Sequence, residues 1–170
     1  MNLPQVINSE STPTSVQHLS FRVRKARYAL PIELVREIIE YGQITTVPMM
    51  PACIHGVINL RGNVVPVLDL AARLGAELTQ PSKRTCIIII ELELNEQQQR
   101  IGLVVDAVDA VLDIEAADVE TAPTFGAGIR TDFIAGMARD ERGFTIMLDV
   151  RRVLSLEDIL ELNRAVARAN

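Results

Sequence analysis

The 170-residue chain has no tryptophan, two tyrosines, four phenylalanines, two cysteines and two histidines. Each scarcity closes a class of function. Cys53 and Cys86 stand apart with no CxxC spacing, and His18 and His55 are the only histidines, so no zinc ligand set can be assembled. Isolated thiols fit a reducing, cytoplasmic compartment. Positive charge is also short: 17 Lys and Arg against 22 Asp and Glu give a formal charge of -5, whereas a nucleic-acid binder needs a clustered cationic footprint. The strongest apolar run, Cys86 to Ile90, is broken by Glu91 and Glu93. It falls well below the roughly 20 residues that cross a bilayer, and Met1-Asn2-Leu3-Pro4 does not open a signal peptide.

Catalytic motifs are missing too. There is no GxxxxGK[ST], GxSxG or HExxH, and Gly126-Ala127-Gly128 follows a Thr/Pro run rather than a strand. Glu91 with Glu93 and Asp106 with Asp109 read as solvated charges on strand faces and turns. No catalytic residue, metal or cofactor is assigned.

What the chain does hold is β-branched residues, 17 Val and 17 Ile in a composition that is 48% hydrophobic. This favours a mainly β domain. Residues 1–17, rich in Ser, Thr, Pro, Asn and Gln, read as a flexible tail. Leu19, Phe21 and Val23 then alternate with polar residues, and a Lys25-Ala26-Arg27 turn leads to Tyr28-Ala29-Leu30. Pro31 is placed to start a short helix, with Ile32, Val35, Ile38 and Ile39 on one face and Gly42 as its stop.

Ile54 to Leu70 reads as two strands around Arg61-Gly62-Asn63, with Asp69 capping a helical turn and Pro66 pointing to an edge strand. Thr85 to Leu94 and Arg100 to Val105 form a second hairpin across an Asn95 to Gln99 loop. Within it, Cys86 to Ile90 is apolar on both faces, as in a central strand. Ser155 with Asp158 makes a capping box for a C-terminal helix over 156–170, striped by Ile159, Leu162 and Val166.

The sequence also repeats itself. Shifted by 80, Ile54, Gly56, Leu68, Asp69 and Leu74 fall on Ile134, Gly136, Leu148, Asp149 and Leu154. Shifted by 73, Tyr28 to Glu33 falls on Ile101 to Asp106, and Val35, Ile38 and Ile39 on Val108, Val111 and Leu112. Two related units, roughly 18–80 and 84–154, follow. Short strands joined by Gly and Pro turns in units this small close most simply as barrels.

Two basic features stand out. Arg22, Arg24, Lys25 and Arg27 could hold phosphate or an acidic partner, although cations on an outer strand also guard against edge pairing. Arg61, between the apolar Val57-Ile58 run and a glycine turn, is either an interface anchor or an ordinary hairpin-tip arginine.

At this point the chain resembles the CheW family of bacterial chemotaxis coupling proteins. The resemblance is carried by Tyr28-Ala29-Leu30-Pro31-Ile32, Val35-Arg36-Glu37-Ile38, Val47-Pro48, Pro51 and Ile54-His55-Gly56-Val57-Ile58-Asn59-Leu60-Arg61-Gly62. It continues through Val65-Pro66-Val67-Leu68-Asp69-Leu70, Gly102-Leu103-Val104-Val105-Asp106 and Thr131-Asp132-Phe133-Ile134-Ala135-Gly136, and so covers about 18–155. It implies two five-stranded SH3-like β-barrels around a shared hydrophobic core, with short helices besides; sequence halves need not equal spatial barrels, because strands can cross between them.

The function implied is a non-enzymatic adaptor. It bridges the cytoplasmic tip of a methyl-accepting chemoreceptor to the regulatory domain of a CheA-type histidine kinase, in the cytoplasm at membrane-bound arrays. Receptor-binding residues carried over by position are Val35, Glu37, Gly56, Asn59, Arg61, Gly102, Val108 and Val111, with Glu37 holding Arg61. Helix-in-groove recognition is the physical expectation. Phe125, between Pro123 and Gly126, is the candidate kinase anchor. Alternatives are a CheW-like paralogue in a non-flagellar pathway, such as pilus motility or surface sensing, and a small-molecule sensor or enzyme using the groove between barrels.

Overall fold

The computed structural model describes residues 15–94, 96–121 and 133–154 together with 161, 163, 164, 166 and 167. The first described elements form an antiparallel hairpin of β1 (Ser15–Val23) and β2 (Ala26–Pro31), turning at Arg24-Lys25. The strand therefore starts earlier than the tail boundary expected near residue 17, because Ser15, Val16 and Gln17 pair with Glu115, Ile114 and Asp113.

The expected helix after Pro31 does not form. Only Ile32–Leu34 makes a 3-10 turn, and Val35–Glu40 is strand β3. Its Val35, Glu37 and Ile39 are half-buried while Arg36, Ile38 and Glu40 are exposed, a period of two. The spacing of Val35, Ile38 and Ile39 suited a helix, but β-branched side chains and a ladder to an isoleucine-rich neighbour decide for the strand.

Next come β4 (Ile54–Leu60) and β5 (Asn63–Asp69), then the one-turn helix α1 (Leu70–Arg73), capped as expected by Asp69. The second hairpin joins β6 (Cys86–Leu94) to β7 (Gln97–Val105). Gln97 to Gln99, expected in a loop, extend the ladder by pairing with Leu94, Glu93 and Leu92. The chain continues through β8 (Ala107–Glu115), β9 (Val119–Glu120), β10 (Ile134–Asp140), β11 (Gly143–Leu148) and the one-turn helix α2 (Val150–Val153), capped by Asp149. Glu161, Asn163, Arg164, Val166 and Ala167 are helical; Ser155, Asp158, Ile159 and Leu162 lie outside the described residues.

Two sheets result, ordered β8-β1-β2-β11-β10-β9 and β3-β6-β7-β5-β4. Neither is a sequence half. Each contains a parallel junction where the two repeat units meet: β5 with β7, Val67 opposite Gly102, and β11 with β2, Met147 opposite Ala29. The two junctions are equivalent under the sequence repeat, since Val67 corresponds to Met147 and Ala29 to Gly102. Bulges recur at Ile54/Gly56 and Ile134/Gly136, and the bond from Asp69 N to Cys53 O is matched by that from Asp149 N to Phe133 O. Strand exchange between two SH3-like barrels is thus written into the pairing.

β5 is an inner strand, not the edge that Pro66 suggested. The parallel ladder to β7 runs only from Val67 to Asp69, so Pro66, which has no N–H to donate, lies just before it begins.

Three apolar clusters fill the molecule. The largest, including Phe21, Leu30, Leu68, Ile88, Ile90 and Leu103, is the core shared between the sheets. A second, including Ile58, Val65, Val67, Ile87 and Ile89, fills the five-stranded barrel, and a thinner one around Ala29, Ile114 and Ala138 fills the other. Cys86 to Ile90 serves two of them at once: Ile88 and Ile90 face the shared core, Ile87 and Ile89 the barrel interior.

Candidate functional site

Between β4 and β5 the chain turns on Arg61 and Gly62, both at positive φ (51° and 89°). That is the geometry a two-residue hairpin needs to match strand twist. The Asn59 side chain braces it, its Oδ1 accepting from Gly62 N at 2.9 Å.

From this tip Arg61 reaches Glu37 on β3, donating from Nη1 to Oε2 at 2.7 Å and from Nη2 to Oε1 at 2.9 Å. β3 and β4 are the opposite edges of the five-stranded sheet, so the contact spans the seam where the sheet rolls shut. The bridge between Thr45 and Val57 closes the same seam, with both of its bonds at 2.9 Å.

The Arg61 hydrogen bond, helped by the charges of Arg61, Arg100 and Arg36, holds the Glu37 carboxyl below the ordinary carboxylate range, and Arg61 is raised in return. An exposed ion pair adds little to stability. Its fork-to-fork geometry does fix where the guanidinium points. Nearby, Glu91 accepts from Arg100 at 3.0 Å and lies 3.4 Å from Arg36, giving the rim a lattice of alternating charge.

The residues expected to bind a receptor divide by position. Glu37, Asn59 and Arg61 are brought together. Val35, on the same strand as Glu37, and Val108, on β8, each pack partly buried against the shared core. Val111 is 50% exposed on β8, an outer strand of the other sheet.

Gly56 and Gly102 are buried. A Cβ on Gly56 would lie 2.2 Å from the Thr45 carbonyl oxygen, and one on Gly102 would lie 2.8 Å from Ile87 Cγ2. These two glycines shape the barrel under the rim and present no side chain to a partner. Phe125 lies outside the described residues.

The basic cluster near the first hairpin is internally engaged. Arg22 lies 3.3 Å from Asp109, Arg27 packs between Asp109 and Asp140, and Arg24 donates to the carbonyls of Glu77 and Leu78.

Sequence reasoning missed one polar constellation. The fully buried Asp69 carboxylate accepts from Ala72 N at 3.2 Å, Thr79 N at 3.0 Å and Thr79 Oγ1 at 3.1 Å, and His55 Nδ1 lies 3.5 Å from its Oδ2. His55 Nε2 meets the Tyr41 hydroxyl at 3.0 Å. Burial pushes the Asp69 carboxyl up, but the adjacent His55 ring and the bonds from Thr79 and Ala72 outweigh this and hold it below the usual value. The Tyr41 phenol is raised by burial and by the Asp69 charge, the wrong direction for a nucleophile. The chain of groups therefore acts as a clamp, tying the end of β5 to β4, to the residue after β3 and to Thr79. A histidine on a mainly apolar strand, opposite a strand ending in a capping aspartate, was its sequence signal.

Two strand-exchanged SH3-like barrels, one of them with a carboxylate-locked arginine on its closing seam, define a double-barrel β module. Residues 17–158 match the family model described as CheW-like domain. The chain belongs to the CheW family, the scaffold or adaptor class of chemotaxis proteins. It is 32% identical over 143 residues to the chemotaxis protein CheW of Klebsiella aerogenes, covering 84% of each chain. It is 30% identical over 119 residues to protein FrzA of Myxococcus xanthus, covering 70% and 71%. The crystal structure of the scaffolding protein TtCheW from Thermoanaerobacter tengcongensis superposes with a TM-score of 0.74 at 32% identity, over 86% of this chain and 92% of that one.

Proposed function

We propose that this protein is a non-enzymatic chemotaxis adaptor that couples the cytoplasmic tip of a methyl-accepting chemoreceptor to the regulatory domain of a CheA-type histidine kinase. It works in the cytoplasm at membrane-bound receptor arrays. The observation that carries the reading is the exposed Arg61 guanidinium, held in one orientation by Glu37 on the seam of a CheW-family double barrel. A fixed cation whose Glu37 partner shares strand β3 with half-buried Val35 suits the mixed apolar and polar face of a receptor helix. Among the described residues no helix is long and apolar enough to cross a membrane, which leaves contact with the array to protein partners.

In this reading Val108 and Val111 extend the receptor contact from the second sheet, and Phe125 is a contact for the kinase. The test is capture of a receptor cytoplasmic fragment and, separately, of a CheA regulatory domain from the same organism. Wild-type protein binds both, whereas Arg61→Ala loses at least tenfold toward the receptor fragment and keeps its kinase affinity. Failure to bind either partner would overturn the proposal. The similarity to FrzA supports a second reading, in which the receptors and kinase belong to a non-flagellar chemosensory pathway; capture with partners from each pathway separates the two.

A further inference from the structure

The tip of the first hairpin and the segment that follows α1 enclose a cavity of about 280 Å³. Val23, Ala26, Leu74 and Ala76 wall it with apolar side chains, and Tyr28 completes the lining. Its two walls are tied together. Arg24, at a φ of 58° in the hairpin turn, donates from N to Asp106 Oδ2 at 2.6 Å and from Nη2 to the carbonyls of Glu77 and Leu78 at 2.8 and 3.2 Å. The opening is therefore held in place by the fold.

Tyr28 is the polar exception inside it. The residue is 3% exposed and stacks on Phe21 with ring centroids 6.0 Å apart, yet its hydroxyl has no hydrogen-bond partner among the described residues. Four side-chain polar atoms among those residues lack a partner and are sealed from solvent: Arg27 Nε, His55 Nδ1, Asp109 Oδ2 and Thr145 Oγ1. The Tyr28 oxygen is not one of them, so it lacks a partner while staying open to solvent. Tyr28 lies two residues from Ala26, and Ala26 is paired with Val23, so all three side chains share the face that lines the cavity.

The sequence repeat supplies a contrast. Shifted by 73, Tyr28 falls on Ile101, which is 0% exposed. One unit fills the position with plain hydrocarbon, and the other carries a hydroxyl to a cavity wall. A buried tyrosine normally finds a partner for its O–H. Water is a poor tenant here, because it needs about two to four polar partners and the side chains of Val23, Ala26, Leu74 and Ala76 offer none.

What fits is an apolar body with one hydroxyl. Burial raises the Tyr28 phenol, so at neutral pH it is protonated and offers a donor and lone pairs without charge. The volume exceeds that of the roughly 150 Å³ engineered cavity that holds benzene, which leaves room for one substituted ring. Lys25, also on the lining, is exposed and has no ion pair or hydrogen bond among the described residues. A free ammonium of this kind is attracted to the face of an aromatic ring.

We infer that this cavity is a binding site for a small neutral phenol, its ring among Val23, Ala26 and Leu74 and its hydroxyl paired with that of Tyr28. The site shares no residue with the Arg61 rim or with Val108 and Val111.

The experiment is a titration of the full-length, isotope-labelled protein with phenol, followed by amide NMR. Saturable shifts centred on Val23, Ala26, Leu74 and Ala76, with a Kd on the order of 1 mM, are expected for so small a ligand. Benzene, which lacks the hydroxyl, binds about fivefold more weakly, the net effect of one hydrogen bond. Tyr28→Phe, which is nearly isosteric, weakens phenol by the same factor and leaves benzene unchanged, which a general loosening of the fold would not do. Ala76→Leu, at an exposed position on the rim, fills the cavity and abolishes the shifts for both ligands.

Cyclohexanol, which keeps a hydroxyl without an aromatic ring, binds more weakly than phenol. Linear shifts up to tens of millimolar, equal binding by benzene or by cyclohexanol, unchanged phenol affinity in Tyr28→Phe, or shifts that persist in Ala76→Leu would each overturn the inference.

Discussion

Arg61 and Glu37 lie on opposite edges of one sheet and meet through two parallel hydrogen bonds of 2.7 and 2.9 Å. The pair marks the line along which the five-stranded sheet closes on itself. It also fixes the direction of an exposed cation, and so open a pair stabilises little.

The Glu37 carboxyl should therefore titrate below the normal carboxylate range, and Arg61→Ala should return it toward that range. A group with a depressed folded pKa stabilises above its unfolded pKa, and the contribution disappears as pH falls through the folded value. Side-chain carboxyl NMR against pH checks the shift. Thermal unfolding at neutral pH should be nearly unchanged in the mutant, since screening leaves this pair a small share of stability.

Gly56→Ala should be severe. Its φ of +152° and the 2.2 Å approach of a Cβ to the Thr45 carbonyl leave no room without breaking the bridge between Thr45 and Val57. A loss of about 3 kcal/mol is expected, read from the urea midpoint.

Gly102→Ala meets only side chains, the nearest being Ile87 Cγ2 at 2.8 Å. Overpacking of this kind costs about 1–3 kcal/mol. The equivalent residue in the other barrel is already Ala29, beside the more flexible Met147. Denaturant unfolding of Gly102→Ala and Ala29→Gly should show opposite packing preferences at matched positions.

The two capping aspartates should separate sharply. Asp149 is partly exposed and caps Arg152 N at 3.3 Å, so Asp149→Ala should cost about 1 kcal/mol. Asp69 is fully buried and serves Thr79 and His55 as well, so Asp69→Ala should cost about 3 kcal/mol or more. Urea denaturation of the two variants compares them directly.

Thr79→Val should raise the folded pKa of Asp69 by removing the hydroxyl that donates to it. The stability Asp69 supplies above its unfolded pKa would then be lost at a higher pH as acid is added. The acid-unfolding midpoint of Thr79→Val should move upward relative to wild type.

The hairpins were legible because their signals are local. Alternation in Leu19 to Val23, the turn residues at Arg61-Gly62 and the cap at Asp69 lie within a few residues of the structure they set. The strand at Val35–Glu40 was not, since its helix-like spacing is overruled by pairing with Cys86 to Ile90, far along the chain. Of the site, the sequence marked Arg61 and offered Glu37 as its holder, a pairing the geometry shows. It could not show that Gly56 and Gly102 are buried supports, which depends on what packs against each backbone.

By itself, then, the sequence determined the local hairpins, their turns, the repeat and the apolar surfaces that make a double β barrel stable. Tertiary structure alone decided that Val67 lies beside Gly102 and Met147 beside Ala29, so that each barrel is completed by a hairpin of the other unit. The reason is that a parallel junction has no connecting turn to encode it. It forms only once both hairpins exist and their buried faces are brought together by one shared core.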